Sequence, residues 1–181
     1  MKSLRWLILG LGLGLLASGC ILTSGQIQIN FDLDDATVTS TGLVAAPITL
    51  SEEEEYTDNK DKLKTLSDLA LLGKITNNTA LPLDVEVWFT PAVTNYTTET
   101  ALKADPTALK IWGKFSLGAN QTKQIDWNES AALFTKAGKD ALLKEAKDGD
   151  GDFSLYAIGT SGIYDFDIKN GALVLVLDAG I

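Results

Sequence analysis

Two sets of side chains in this sequence have the type and spacing to do chemistry: a lone thiol at Cys20, and the alternating carboxylates Asp148, Asp150 and Asp152. Histidine is absent from the chain. That excludes Ser-His-Asp and Cys-His nucleophilic sites and every zinc site built on imidazole. Carboxylate, lysine, tyrosine and hydroxyl chemistry remain, and glycoside hydrolysis by paired acids is the one common enzyme class that composition still allows. No pair of acids is singled out by its spacing, so the chain reads as a non-enzyme.

In Asp148-Gly149-Asp150-Gly151-Asp152 the glycines bend the backbone so that alternating carboxylates can converge hard oxygens on calcium. With Asp148 as the first position of an EF-hand loop, Phe153 stands where glycine is required and Gly159 where the closing glutamate belongs. Calcium is thus a candidate cofactor whose closing ligand is missing. Such a site would make the chain a calcium-dependent glycan-binding or adhesion domain. The same five residues also suit a plain turn from helix to strand.

Cys20 is the only cysteine, so it can form no disulfide within the chain. Ahead of it, Lys2 and Arg5 precede an apolar run from Trp6 to Ala17. That run is too short for a permanent membrane-spanning helix but suits a secretory signal. It ends in Leu16-Ala17-Ser18-Gly19-Cys20, which resembles the lipobox of bacterial lipoproteins, with Leu16 one place further from the cysteine than is usual. The resemblance implies cleavage of residues 1–19, a diacylglyceryl thioether on Cys20, and attachment to the lipid bilayer through the acyl chains. Two or three chains, at about 0.8 kcal/mol per buried methylene, hold far more firmly than one. It also implies the cell envelope, and the outer membrane in a two-membrane bacterium, since Ile21 is not the aspartate that retains lipoproteins at the inner membrane.

The chain carries fifteen basic and twenty-four acidic residues, and loss of Lys2 and Arg5 with the signal deepens its negative charge and removes its only arginine. An acidic surface without guanidinium groups repels nucleic acid, so nucleic-acid binding is excluded.

Beyond a tether at 20–25, residues 26–181 read as a single domain. Gln26 to Leu33 and Leu83 to Phe89 alternate strictly, which is the period of half-buried strands. Pro47 assigns Leu43 to Leu50 to an edge strand or a connection. The acidic run Glu52 to Glu55 reads as a solvated loop entering a helical turn capped by Asp58 or Asn59. Thr90 to Asp105 reads as a long loop. Leu109 to Leu117 reads as a strand with a bulge at Gly113. One helix is predicted near residues 128–147. Asp126 and Glu129 have capping-box spacing, Phe134, Ala137, Ala141 and Leu142 form its apolar stripe, and Gly138 weakens it by about 1 kcal/mol relative to alanine. Phe153 to Ile158, Gly162 to Ile168 and Ala172 to Leu177 read as three closing strands, the last two joined by a hairpin at Asn170-Gly171.

Gly73 to Thr79, followed by Val85-Glu86-Val87-Trp88, resembles adjacent strands of immunoglobulin-like β-sandwiches meeting at an asparagine-rich corner. Together with the strand count, this predicts a mainly β fold, an antiparallel two-sheet, immunoglobulin-like sandwich of eight or nine strands with one helix. The expected function is a non-enzymatic interaction or accessory module of the envelope, facing another envelope protein or a glycan. Trp88, Tyr96 and Trp112 are the candidate contact residues, because amphipathic rings dominate interface energies. Packing in the fold is the alternative for each tryptophan.

Overall fold

Alternation, where the sequence shows it, is what the backbone follows. In the computed structural model, which describes residues 24–160 and 162–180, strand β5 (Leu83–Thr90) buries Leu83, Val85, Val87 and Phe89 and leaves Asp84, Glu86 and Trp88 half-buried on its other face. Residues 1–19 and Cys20, and with them the expected signal and its acylation site, lie outside the described residues.

Ten strands are found among the described residues. The others are β1 (Ser24–Leu33), β2 (Ala36–Thr39), β3 (Ala45–Thr49), β4 (Leu63–Asn77), β6 (Leu109–Lys110), β7 (Phe115–Leu117), β8 (Thr122–Ile125), β9 (Asp152–Gly159) and β10 (Asp165–Gly180). They form two antiparallel sheets. One has the order β1-β10-β4-β8, with β2 also on β10; the other has β3-β9-β5-β6, with β7 also on β5. The architecture is therefore the expected β-sandwich. Its strand order differs from that of immunoglobulin domains, because the last strand lies inside the sheet that holds the first. Between the sheets Phe153, Phe166, Ile48 and Leu69 are fully buried, each worth roughly 1.5–3 kcal/mol relative to exposure.

Pro47 sits on β3, an edge strand, where its missing N–H costs no ladder bond. The expected hairpin at Asn170-Gly171 is not formed, and Gly162 to Ile168 and Ala172 to Leu177 do not make two strands. β10 runs through both, and Asn170 adopts φ 51° within a register shift between Lys169 and Ala172. Asn-Gly suits a bulge as well as a turn, since both need backbone in the left-handed region. β4, paired with β10 on either side of the shift, keeps the chain running on.

The expected single helix is two. α3 (Trp127–Leu133) starts at Asp126, whose carboxylate accepts from the Glu129 N–H at 2.9 Å, and α4 (Lys136–Asp148) starts at Thr135, whose hydroxyl accepts from the Gly138 N–H at 2.9 Å. Between them Phe134 is extended and forms an isolated bridge with Trp112. The Gly113 N–H donates to the Leu133 carbonyl and the Thr135 N–H to that of Ile111, so a tertiary pairing interrupts the helix. The same pairing splits the strand expected from Leu109 to Leu117 into β6 and β7. Ala137 is exposed, and the buried stripe of α4 is Gly138, Leu142, Glu145 and Ala146.

These helices guard the part of β4 that β8 does not reach. Ser130 accepts from the Leu71 N–H at 2.6 Å, Trp127 donates to Asp68, and Lys147 donates to the Lys64 carbonyl. A long open edge is thereby covered. Two short helices, α1 (Glu54–Thr57) and α2 (Glu99–Ala104), fall in the segments expected to be loops. α1 has no side-chain cap; Asn59 precedes the next 3-10 turn and also makes no cap bond. No helix among the described residues is long and apolar enough to cross a membrane.

Candidate functional site

The feature that could receive a ligand is a cavity of about 290 Å³ between the two sheets. Its origin is a kink shared by three strands. Asp34-Asp35 separates β1 from β2, which pair with successive parts of β10: Gly171 to Gly180 with β1, Asp165 to Ile168 with β2. At the same level β10 bulges at Asn170 and β4 carries Gly73 at φ 153°. The Asp35 carboxylate accepts from the Asn170 N–H at 2.9 Å and ties the kink across the strands. Gly73 is needed there: a β-carbon would lie 3.4 Å from Gly171 Cα, on backbone that side chains rarely adopt. Bulges bend a strand and sharpen its twist, and the cavity lies beneath this one.

The walls run from surface to core. Asp34, Val44 and Pro47 are exposed at the mouth, while Val85, Val87 and Trp112 are buried at the inner end. Three acids, Asp32, Asp34 and Asp35, line the mouth, and no lysine is among the lining residues. Val85, Val87 and Ile125 make the inner wall apolar. The Trp112 side chain is 1 % exposed, and its indole Nε1 has no hydrogen-bond partner. The ring is held by Phe134, edge-on at 6.0 Å, and by Phe115 at 6.2 Å.

The expected contact residues separate. Trp112 is a core residue and offers no surface to a protein partner, which corrects the sequence reading; the bridge to Phe134 draws it inward. Trp88 is half-buried on the outer face of the second sheet, where its indole donates to Glu86 at 3.2 Å and Lys103 lies 5.8 Å from its ring centre. Tyr96 donates to Asp105 at 3.0 Å and packs on Tyr156, and the Asp105 carboxylate beside it raises its pKa above the usual phenol range.

Asp148, Asp150 and Asp152 do not converge either. Asp150 accepts from the Asp152 N–H at 3.0 Å, and Asp152 accepts from the N–H and hydroxyl of Ser51 at 3.1 and 2.8 Å, stitching β9 to the turn after β3. Among the described residues no three acids are grouped so as to hold a metal ion. The loop instead frames a buried pair that the sequence did not reveal. Tyr56, from the acidic run, is 1 % exposed and donates to the Ala146 carbonyl at 2.8 Å; burial, with Glu145 nearby, pushes its pKa up to about 12. Glu145 is buried beside it, and desolvation raises its pKa. A β-carbon on Gly151, at φ 89°, would overlap the Tyr56 hydroxyl. The only hint in the sequence was one aromatic residue within a charged run.

A second hollow of about 280 Å³ lies beside Tyr164, Glu99 and Thr98. Its acid is engaged: Tyr164 donates to Glu99 at 2.6 Å. Burial opposes ionisation of Glu99, but the bonds from Tyr164 and Lys103 outweigh it and lower the pKa.

Fold and cavity together define the chain as an antiparallel β-sandwich with an apolar chamber between its sheets. No protein-family model matches the sequence, and no curated protein matches it. Among solved structures it is similar to a chain of Desmodium yellow mottle tymovirus, with 14% identity and a TM-score of 0.31 over 87% of this chain and 89% of that one. It is also similar to a chain of the T13 IBDV viral particle, with 10% identity and a TM-score of 0.28 over 85% of this chain and 31% of the other. Likeness at that level has no bearing on function.

Proposed function

We propose that this is a lipid-anchored protein of the bacterial cell envelope, at the outer membrane where the host has two membranes, and that its sandwich is a non-enzymatic binding or accessory module. One observation carries the reading. β1 is already paired at Ser24, opposite Gly180, immediately beyond the lipobox-like Leu16-Ala17-Ser18-Gly19-Cys20. An acylated Cys20 would therefore hold this end of the first sheet close to the bilayer. The mouth of the cavity would stand off by the length of β1, roughly 30 Å at about 3.3 Å per residue, open to an envelope partner or solute.

Expression of the full chain in a bacterial host with a fatty-acid probe tests this, with Cys20→Ala alongside and the membranes fractionated. The expected result is a labelled, membrane-bound wild type and an unlabelled variant. Wild type that is unlabelled and soluble overturns the anchor.

A further inference from the structure

The inter-sheet cavity pairs an apolar interior with an acidic mouth that no lysine neutralises, and the two together specify a ligand. Its volume of about 290 Å³ is near the lower end of small-molecule sites, which run from about 300 to 1,000 Å³. At about 30 Å³ for each water-sized group it has room for about ten non-hydrogen atoms, too few for a peptide segment or a second copy of the chain. Among its walls Val38, Ile75, Val85, Val87, Ile125 and Leu155 are buried and present only hydrocarbon. Such a space suits an alkyl group and not water.

The mouth has the opposite character. Asp32, Asp34 and Asp35 line it and are all exposed. Other acids of the sandwich have a lysine: Asp84 pairs with Lys114 at 2.7 Å, Glu86 with Lys110 at 3.0 Å and Glu99 with Lys103 at 2.9 Å. Asp35 accepts from the Asn170 N–H instead, and among the described residues the carboxylates of Asp32 and Asp34 have no partner. Lys74 and Lys169, beside the kink, stand opposite each other in the register and do not line the cavity. Exposed charges act over about 8 Å at physiological salt, so the three carboxylates favour a cation at the mouth without having to touch it, and they repel a carboxylate or phosphate headgroup.

We propose that the cavity binds a small aliphatic amine, with its hydrocarbon body among Val85, Val87 and Ile125 and its ammonium group at the mouth beside Asp32 and Asp34. The site deepens the binding-module reading and rests on it, but not on the lipid anchor: a chain without acylation at Cys20 keeps the cavity, and a chain that binds no amine can still be acylated.

The test uses three chain-matched probes with a cationic, a neutral and an anionic end: octylamine, octanol and octanoate. Each is titrated at low salt and at about 0.5 M salt into the methyl-labelled full chain while the assigned Val85 and Val87 methyl resonances are followed. Octylamine is expected to move both resonances in a saturable way and, at low salt, to bind about fivefold more tightly than octanol, the effect of exposed charge pairs. That advantage is expected to vanish at high salt, and octanoate to bind more weakly than octanol. Asp32→Asn combined with Asp34→Asn should bring octylamine to the affinity of octanol and leave octanol itself unchanged. The proposal is overturned if octylamine leaves Val85 and Val87 in place, which would make the mouth a counter-ion surface only. It is equally overturned if octanol or octanoate binds as tightly as octylamine at low salt, or if the double variant binds octylamine undiminished. Should the double variant not fold, the salt dependence and the wild-type methyl shifts decide the matter.

Discussion

Glu145 is the residue at which burial and charge oppose each other most plainly. It is 8 % exposed, and the Gly151 N–H, at 3.4 Å, offers its carboxylate a long bond. Desolvation raises its folded pKa, and nearby Asp150 adds to the effect. A carboxyl that holds its proton more tightly when folded makes the native state bind more protons than the unfolded chain between the two pKa values. Stability from this group therefore falls as pH rises through that window, beginning near the ordinary glutamate value of about 4.3. Glu145→Gln keeps an acceptor and removes the charge. It is expected to raise the melting temperature at pH 7 and to flatten the decline with pH; denaturant melts of both proteins across pH 4 to 8 check this, and parallel curves would refute it. Asp84, Asp105 and Asp178 act in the opposite sense. Hydrogen bonds from Lys114 and Ser116, from Thr107, and from Ser67 and Thr65 hold their carboxyls below the usual range, so their contributions disappear as pH falls.

At the level of elements, the contact between α4 and the segment around Ile111 shows why an unfavourable helix residue sits where it does. Gly138 weakens an isolated helix by about 1 kcal/mol relative to alanine. Here, however, a β-carbon on it would lie 2.8 Å from the Ile111 Cα. The helix can approach the core this closely only without a side chain, and displaced backbone costs about 1–3 kcal/mol. Gly138→Ala is therefore expected to destabilise the protein by about 1–2 kcal/mol, as the packing loss exceeds the propensity gain. Urea denaturation reads the difference, and a stabilised variant would show that α4 can withdraw without cost. Asn77 plays a comparable part at its corner. Its amide donates to Leu81 and Gly118 at 2.7 and 2.8 Å, and its carbonyl accepts from the Thr79 N–H, so this fully buried asparagine is a structural residue.

Over the whole molecule, the first and last described strands pair within one sheet, β1 at its edge and β10 in its interior. β10 is flanked by β1 and β2 on one side and by β4 on the other. Removing residues 172–180 would strip β1 of its partner strand, open one edge of β4 and take Leu173, Leu175 and Leu177 out of the core. Such a truncation is expected to leave a chain without cooperative unfolding and with rapid proteolysis. Removing residues 1–19, the expected signal, is expected to leave the melting temperature within about a degree of the full chain's. Circular dichroism melts of the two truncations check both statements.

What the sequence by itself determined was local. Alternation at Gln26 to Leu33 and Leu83 to Phe89 placed strands and their buried faces, Pro47 narrowed its segment to an edge strand or a connection, and Asp126 placed the start of a helix, because each follows from nearest-neighbour geometry. The candidate site was barely legible there. Trp112 stands beside Ile111 in an ordinary apolar stretch; only its bridge to Phe134 makes it an interior donor, and the same bridge breaks the helix that periodicity predicts as one. Asn170-Gly171 carries the local chemistry of a turn, and whether it closes a hairpin or forms a bulge depends on β4 being long enough to pair across it. The alignment of Asp34-Asp35 with Gly73 and Asn170, which lies over the cavity, joins residues far apart in the chain. Tertiary structure decided these points because strand pairing and sheet packing are long-range interactions, and they outweigh the few tenths to about 1 kcal/mol by which local propensities differ.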